Sequence, residues 1–69
     1  MIPVNSSSIR AVDYRQGGLF SDGGTLYVQF RTSDTIYSHP RVPYSLFVQF
    51  INSASMGRFY NAFIRGRYR

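Results

Sequence analysis

The chain contains no cysteine, no tryptophan, no lysine and no glutamate, and histidine occurs once. Without cysteine there can be no disulfide, no thiolate zinc site and no cysteine nucleophile. With one histidine and three aspartates (Asp13, Asp22 and Asp34), a mononuclear metal site of ordinary ligand count is not expected, nor is another cofactor. The acids stand singly in separate segments. Acid–base chemistry would need His39 to converge with Asp13 or Asp34, and nothing in the sequence shows that convergence. No catalytic residue is therefore assigned, and the chain is not expected to be an enzyme. No apolar run approaches the roughly 20 residues of a membrane span, and neither expected helix is apolar enough to anchor on a bilayer. The start, Met1-Ile2-Pro3-Val4-Asn5, lacks the basic stretch and apolar run of a secretory signal. The expected location is the cytoplasm, with no membrane partner.

What is present is compact and basic. At 69 residues the expectation is one domain spanning 1–69. A chain of this size buries only about 60% of the surface its unfolded form exposes, so self-association is a natural supplement. Six Tyr and six Phe supply the material of a core, because each ring can bury roughly 150–250 Å². All positive charge is arginine: Arg10, Arg15, Arg31, Arg41, Arg58, Arg65, Arg67 and Arg69, for a net charge of +5. The guanidinium fork is always charged, matches phosphate or carboxylate, and stacks on rings and bases. Such a body attracts polyanions.

Along the chain, Ser8 to Tyr14 reads as a first strand, although neither of its alternating sides is polar throughout. Gly17-Gly18 and Asp22-Gly23-Gly24 punctuate a loop around Leu19-Phe20. A strand follows that loop, where a phosphate-cradling loop would lead into a helix. From Thr25 to Arg31, Leu26, Val28 and Phe30 alternate with Tyr27, Gln29 and Arg31, the period of a half-buried strand. Thr32-Ser33-Asp34 turns the chain, and Thr35 to His39 forms a third strand that Pro40-Arg41-Val42-Pro43 ends. Pro43 suits the first position of a helix, whose apolar stripe is Leu46, Phe47, Phe50, Ile51 and Ala54. Ser55 can cap a second short helix. Met56, Phe59, Tyr60, Phe63 and Ile64 form its buried stripe, and Arg58, Asn61, Ala62 and Arg65 its opposite face. The end, Gly66-Arg67-Tyr68-Arg69, is expected to fray unless a partner orders it. The expected fold class is α+β: a three-stranded antiparallel β-meander followed by two short α-helices packed on one sheet face. Leu26, Val28, Phe30, Phe47, Phe50, Phe59 and Phe63 form the heart of the core.

An ordered set of residues runs through nearly the whole chain: Val4-x-Ser6-Ser7-x-Ile9-x-x-Val12-x-Tyr14, Leu26-x-Val28-x-Phe30, Tyr37, Val42-Pro43, Phe47, Phe50, then Ser55-x-Gly57-x-Phe59-Tyr60-Asn61-x-x-Ile64 and Tyr68. This pattern resembles the KTSC domain, a short module found at the C-terminus of some lysyl-tRNA synthetases and as stand-alone bacterial and phage proteins. The family's central Tyr-x-Tyr reads Tyr37-Ser38-His39 here, and the loop holding Leu19-Phe20 is longer than in the family. The resemblance implies a meander followed by helices and, through the synthetase context, RNA binding. It also makes the cytoplasm that of a bacterium, or of the host of a phage.

Three functional expectations follow. The first is a nucleic-acid module for RNA or single strands, combining a cationic track with rings on which bases stack. Arg58, Arg65, Arg67 and Arg69 form the track, Asn61 serves a base edge or phosphate, and Tyr37 and His39 offer stacking rings, with Tyr27 and Tyr68 as further candidates. An arginine-bearing helix face is by default merely solvated, so the clustering near the C-terminus carries this reading. The second is a protein-interaction module, such as a phage factor acting on a host protein, whose acidic partner would use the same arginines. The third is a homo-oligomer holding a small anionic nucleotide, with Tyr37 or His39 on the base and Arg65 or Arg67 on the phosphate. For His39 the default is structural, a hydrogen bond at the end of the sheet.

Overall fold

A computed structural model describes residues 1–17 and 23–68. Leu19, Phe20 and the start of the second glycine turn lie outside the described residues, as does Arg69. The chain builds an α+β fold in which four antiparallel strands, β1 (Ile2–Pro3), β2 (Ile9–Gln16), β3 (Gly24–Phe30) and β4 (Ile36–Val42), follow one another in space as in sequence. Helix α1 (Tyr44–Ile51) comes next, then α2 (Met56–Phe59), which continues without a break into a π-helical turn, Tyr60–Ile64.

Among the described residues the expected three strands are thus four. β1 pairs Ile2 with Val12 and Pro3 with Ala11, and two residues are too few to show any hydrophobic period. Proline cannot donate to a ladder, so Pro3 belongs where it stands, on a short edge strand.

Strand β3 alternates as its sequence predicts, with Leu26 and Val28 fully buried. Its neighbours do not alternate, because each carries a bulge. Between Ile9 and Ala11 the register against β3 slips by one residue, from Ile9↔Phe30 to Ala11↔Gln29. Ile9 and Val12, three positions apart, consequently lie on the same face, and both are fully buried. This explains why neither side of that segment reads as polar. In β4 the register steps from Leu26↔His39 to Gly24↔Val42, three residues on one strand against two on the other. The strand therefore does not stop before Pro40. It absorbs Pro40-Arg41 as a bulge, and His39 and Val42 both turn inward. Arg41 takes a φ of 61°, the left-handed region that an L-residue enters at a cost.

Both helical segments contribute to the core: Phe47 and Phe50 from α1, Met56 from α2, and Tyr60 and Ile64 from the π turn. Pro43 caps α1 from just outside it, with its carbonyl accepting from the Leu46 and Phe47 amides. Ser55 caps α2 by accepting from the Arg58 amide. Tyr14 ties β2 to α1: its ring stacks on Phe47 at 4.9 Å and its hydroxyl donates to the Val42 carbonyl at 2.8 Å.

Three assignments to the apolar stripes are corrected. Ile51 is exposed at the end of α1, Ala54 is exposed beyond that helix, and Phe63 is 49% exposed. The Arg65 amide reaches back five residues to the Tyr60 carbonyl at 2.8 Å. This wider turn keeps Tyr60 and Ile64 inward and rolls Phe63 out, where its ring lies against that of Phe59. The described part of the chain end, Gly66 to Tyr68, is held against the fold. Gly66, at φ 81°, reverses the backbone, and Tyr68 packs against the core.

The bulge in β4 makes a prediction about stability. Arg41→Gly removes the left-handed strain and leaves the protein at least as stable as the parent. Arg41→Val adds a branched side chain to that conformation and costs about 1–2 kcal/mol. Urea denaturation of the two variants distinguishes them, and equal midpoints would show that the bulge relaxes freely.

Candidate functional site

The inward turn of β4 brings an imidazole into the core. His39 is 8% exposed, so both ring nitrogens need partners inside the protein. Nδ1 lies 2.6 Å from the Tyr68 carbonyl and Nε2 lies 2.8 Å from the Tyr60 hydroxyl. A carbonyl only accepts, so Nδ1 carries the hydrogen. In the neutral ring Nε2 then accepts, and the Tyr60 hydroxyl donates to it. One side chain of the edge strand thereby holds both the π turn and the chain end.

Beside this clasp lies a groove of about 330 Å³ lined by Phe30, Tyr37, Tyr60, Asn61 and Arg65. Phe30 stands edge-on to both tyrosines, with ring centroids 5.7 Å from Tyr37 and 5.1 Å from Tyr60. Tyr37 pairs across the sheet with Val28 and so shares the helix-covered face, but at its rim, where it is 45% exposed. Asn61 and Arg65, four residues apart on the π turn and its end, supply the polar wall. Burial raises the Tyr60 phenol above its usual pKa of 10.0; the Arg65 guanidinium opposes that shift and Tyr37 adds to it.

The sequence matches the family model of the KTSC domain over residues 5–68. The chain belongs to the KTSC domain family. A KTSC domain protein from Yersinia pestis, known from a crystal structure, is 31% identical to it, with a TM-score of 0.81. That likeness covers 97% of this chain and 86% of the other. No curated protein matches the sequence.

Several residues that carry the KTSC pattern have a structural role here. The Ser6 hydroxyl accepts from the amides of Ser8 and Ile9, turning the arm into β2. Gly57 leaves room for that turn, since a Cβ there would lie 3.0 Å from the Ser8 hydroxyl. Tyr60 and Asn61, by contrast, line the groove.

Of the site residues expected from sequence, the fold brings Tyr37, Asn61 and Arg65 together. Arg58 and Arg67 are exposed outside the groove, on α2 and on the turn after the π segment. Arg69 lies outside the described residues. His39 is corrected: buried among its partners, it offers no face for stacking, and the default structural role describes its geometry. Tyr27 is corrected too, because it pairs across with Asp13 and Ser38 and so lies on the opposite sheet face from Tyr37. The sequence reading missed Phe30 and Tyr60 as groove residues. Both were assigned to the core by periodicity, which cannot show that a core ring also forms a groove wall.

Among the described residues, Arg31 and Arg10 are occupied structurally. Arg31 donates to the Ser6 carbonyl at 2.6 Å and to that of Val4 at 3.4 Å, pinning the N-terminal arm. Arg10 donates to the Arg31 carbonyl and lies 4.0 Å from the Asp34 carboxylate, both side chains being exposed. Arg58, Arg65 and Arg67 have no side-chain bond of this kind among the described residues.

His39→Ala strands a hydroxyl and a carbonyl inside the protein and is expected to cost about 1–3 kcal/mol for each group left unpaired. An unchanged denaturation midpoint would mean that water replaces the imidazole at both. The raised phenol gives a second expectation. The folded chain holds the Tyr60 proton to higher pH than the unfolded chain, so its contribution is complete below pH 10.0 and lost as pH rises beyond it. Stability measured through the alkaline range should decline above that point, and less steeply in Tyr60→Phe. An equally steep decline in that variant would assign the effect to other groups.

Proposed function

We propose that this KTSC domain is a small basic module that binds single-stranded nucleic acid, RNA foremost, through the groove and the arginines beside it. The observation that carries the reading is the meeting of the exposed Tyr37 ring with Asn61 and Arg65 in one groove. Exposed rings next to guanidinium groups suit single strands, whose unstacked bases lie on aromatic faces while the backbone follows the positive charge. Arg58 and Arg67 extend that charge along the same end of the chain, and a net charge of +5 favours a polyanion.

The role proposed is binding without catalysis. Among the described acids, the Asp13 carboxylate accepts from the Tyr14 amide and Asp34 is exposed beside Arg10. Neither lines the groove. The setting proposed is the cytoplasm, where such strands are met.

The test is binding of labelled single-stranded RNA, single-stranded DNA and duplex DNA across a salt series. Three phosphate contacts, from Arg58, Arg65 and Arg67, give a log–log salt slope of about −2 on a single strand. An Arg58/Arg65/Arg67→Ala variant should flatten it. Tyr37→Ala should weaken binding roughly 5- to 150-fold, the worth of one stacked base. No binding at low salt would overturn the proposal, and retention of an acidic protein instead would assign the arginines to a protein partner.

A further inference from the structure

We infer that the groove takes one nucleotide unit, with its base on Tyr37 and against Asn61 and its phosphate on Arg65. The inference rests on the proposed function and says which part of a strand the groove holds. Three features of the lining carry it.

The first is size. A volume of about 330 Å³ is at the small end of ligand pockets, enough for one base with its phosphate and too small for a stack of bases. The second is the division of chemistry along the walls. Phe30, Tyr37 and Tyr60 make an aromatic side, and Phe30 stands edge-on to its neighbours, 77° from Tyr37 and 78° from Tyr60. That packing braces Tyr37 by its neighbour while leaving it 45% exposed. Asn61 offers a donor and an acceptor together, the pair that can read a base edge. Arg65 offers donors only, in a fork that fits phosphate oxygens. An aromatic platform, an amide and a guanidinium within one groove are the three kinds of contact that a nucleotide presents together.

The third is what the clasp behind the groove does to Tyr60. With the imidazole neutral, the hydroxyl hydrogen of Tyr60 is engaged by Nε2 of His39, so Tyr60 meets an occupant as a ring and not as a donor. No carboxylate lines the groove, and Arg65 is the charged residue of its lining. The lining selects a planar, anionic occupant with hydrogen-bonding edges.

The experiment titrates the full chain with each of the four ribonucleoside 5′-monophosphates, with the nucleosides and with inorganic phosphate, followed by amide chemical shifts. Competition against a labelled RNA strand runs in parallel. At least one monophosphate should shift the Asn61 and Arg65 amides and displace the strand, about tenfold more tightly than its nucleoside or phosphate alone. Asn61→Ala and Arg65→Ala should each weaken that monophosphate, whereas Arg58→Ala should weaken the strand and leave the monophosphate unchanged. Circular dichroism confirms that each variant is folded.

Strand binding with no displacement by any monophosphate would overturn the inference and leave the proposed function standing. Failure of strand and monophosphates alike would overturn both. Monophosphate binding without strand binding would overturn the assignment of the occupant as part of a strand.

Discussion

Everything around the groove depends on satisfying one buried imidazole. His39 enters the core from an edge strand, opposite the apolar Leu26 of β3, and a buried ring nitrogen without a partner is costly. The two partners come from elements that follow the sheet: the Tyr60 hydroxyl from the π turn and the Tyr68 carbonyl from beyond Gly66. Satisfying the ring therefore fixes how the second helical segment lies on the sheet and where the chain end returns. The groove is the space left between that segment and the rim of β4, so its shape is set by the same two bonds.

How His39 comes to face inward also shows what the sequence could reveal. Strand β3 was legible because it is regular: Leu26 and Val28 alternate with Tyr27 and Gln29, and the sheet keeps that alternation. The strands on either side were legible in position and obscure in facing. A bulge inserts one residue and reverses the alternation beyond it. Ile9 and Val12 cannot share a face by period two, nor can His39 and Val42, yet in the fold each pair does. For the same reason Pro40, read as the end of the sheet, lies inside a strand at a bulge. The π turn is the helical counterpart. A helical period places Phe63 with Phe59 in the core, and the wider turn moves it out. These departures depend on pairing with distant residues, which a local pattern does not carry. The arginine face of the second helix was legible because it asks only which side of a helix is polar.

The same distinction separates the arginines. Sequence shows eight equivalent guanidinium groups and a clustering of four near the chain end. The fold makes them unequal. Arg31 works as a backbone brace for the arm that leads from β1 into β2, and Arg10 lies beside it over the following turn. Arg41 is placed by backbone geometry at a bulge. Arg65 combines exposure with a place in the groove beside Phe30, Tyr37 and Tyr60, and Arg15 shares a shallower hollow with Tyr27 on the opposite sheet face. Net charge would draw a polyanion to any part of so small a surface, so the combination of charge with Tyr37, Asn61 and Phe30 distinguishes one region from the rest.

The departure from the family's Tyr-x-Tyr pattern takes on a definite meaning in this light. Tyr37 and His39 are two residues apart on the same strand face, but they do different things. The first position stands at the rim, half in solvent, and forms a wall of the groove. The second faces the core and must meet two polar groups at once. A phenol offers one hydroxyl at the end of a long ring, whereas an imidazole presents a nitrogen on each side, one donating and one accepting, and so bridges a carbonyl and a hydroxyl. Histidine at the second position thus anchors the helical layer from behind the groove and not within it. The exposed aromatic, the amide and the guanidinium remain in place, and that is the arrangement the binding proposal requires.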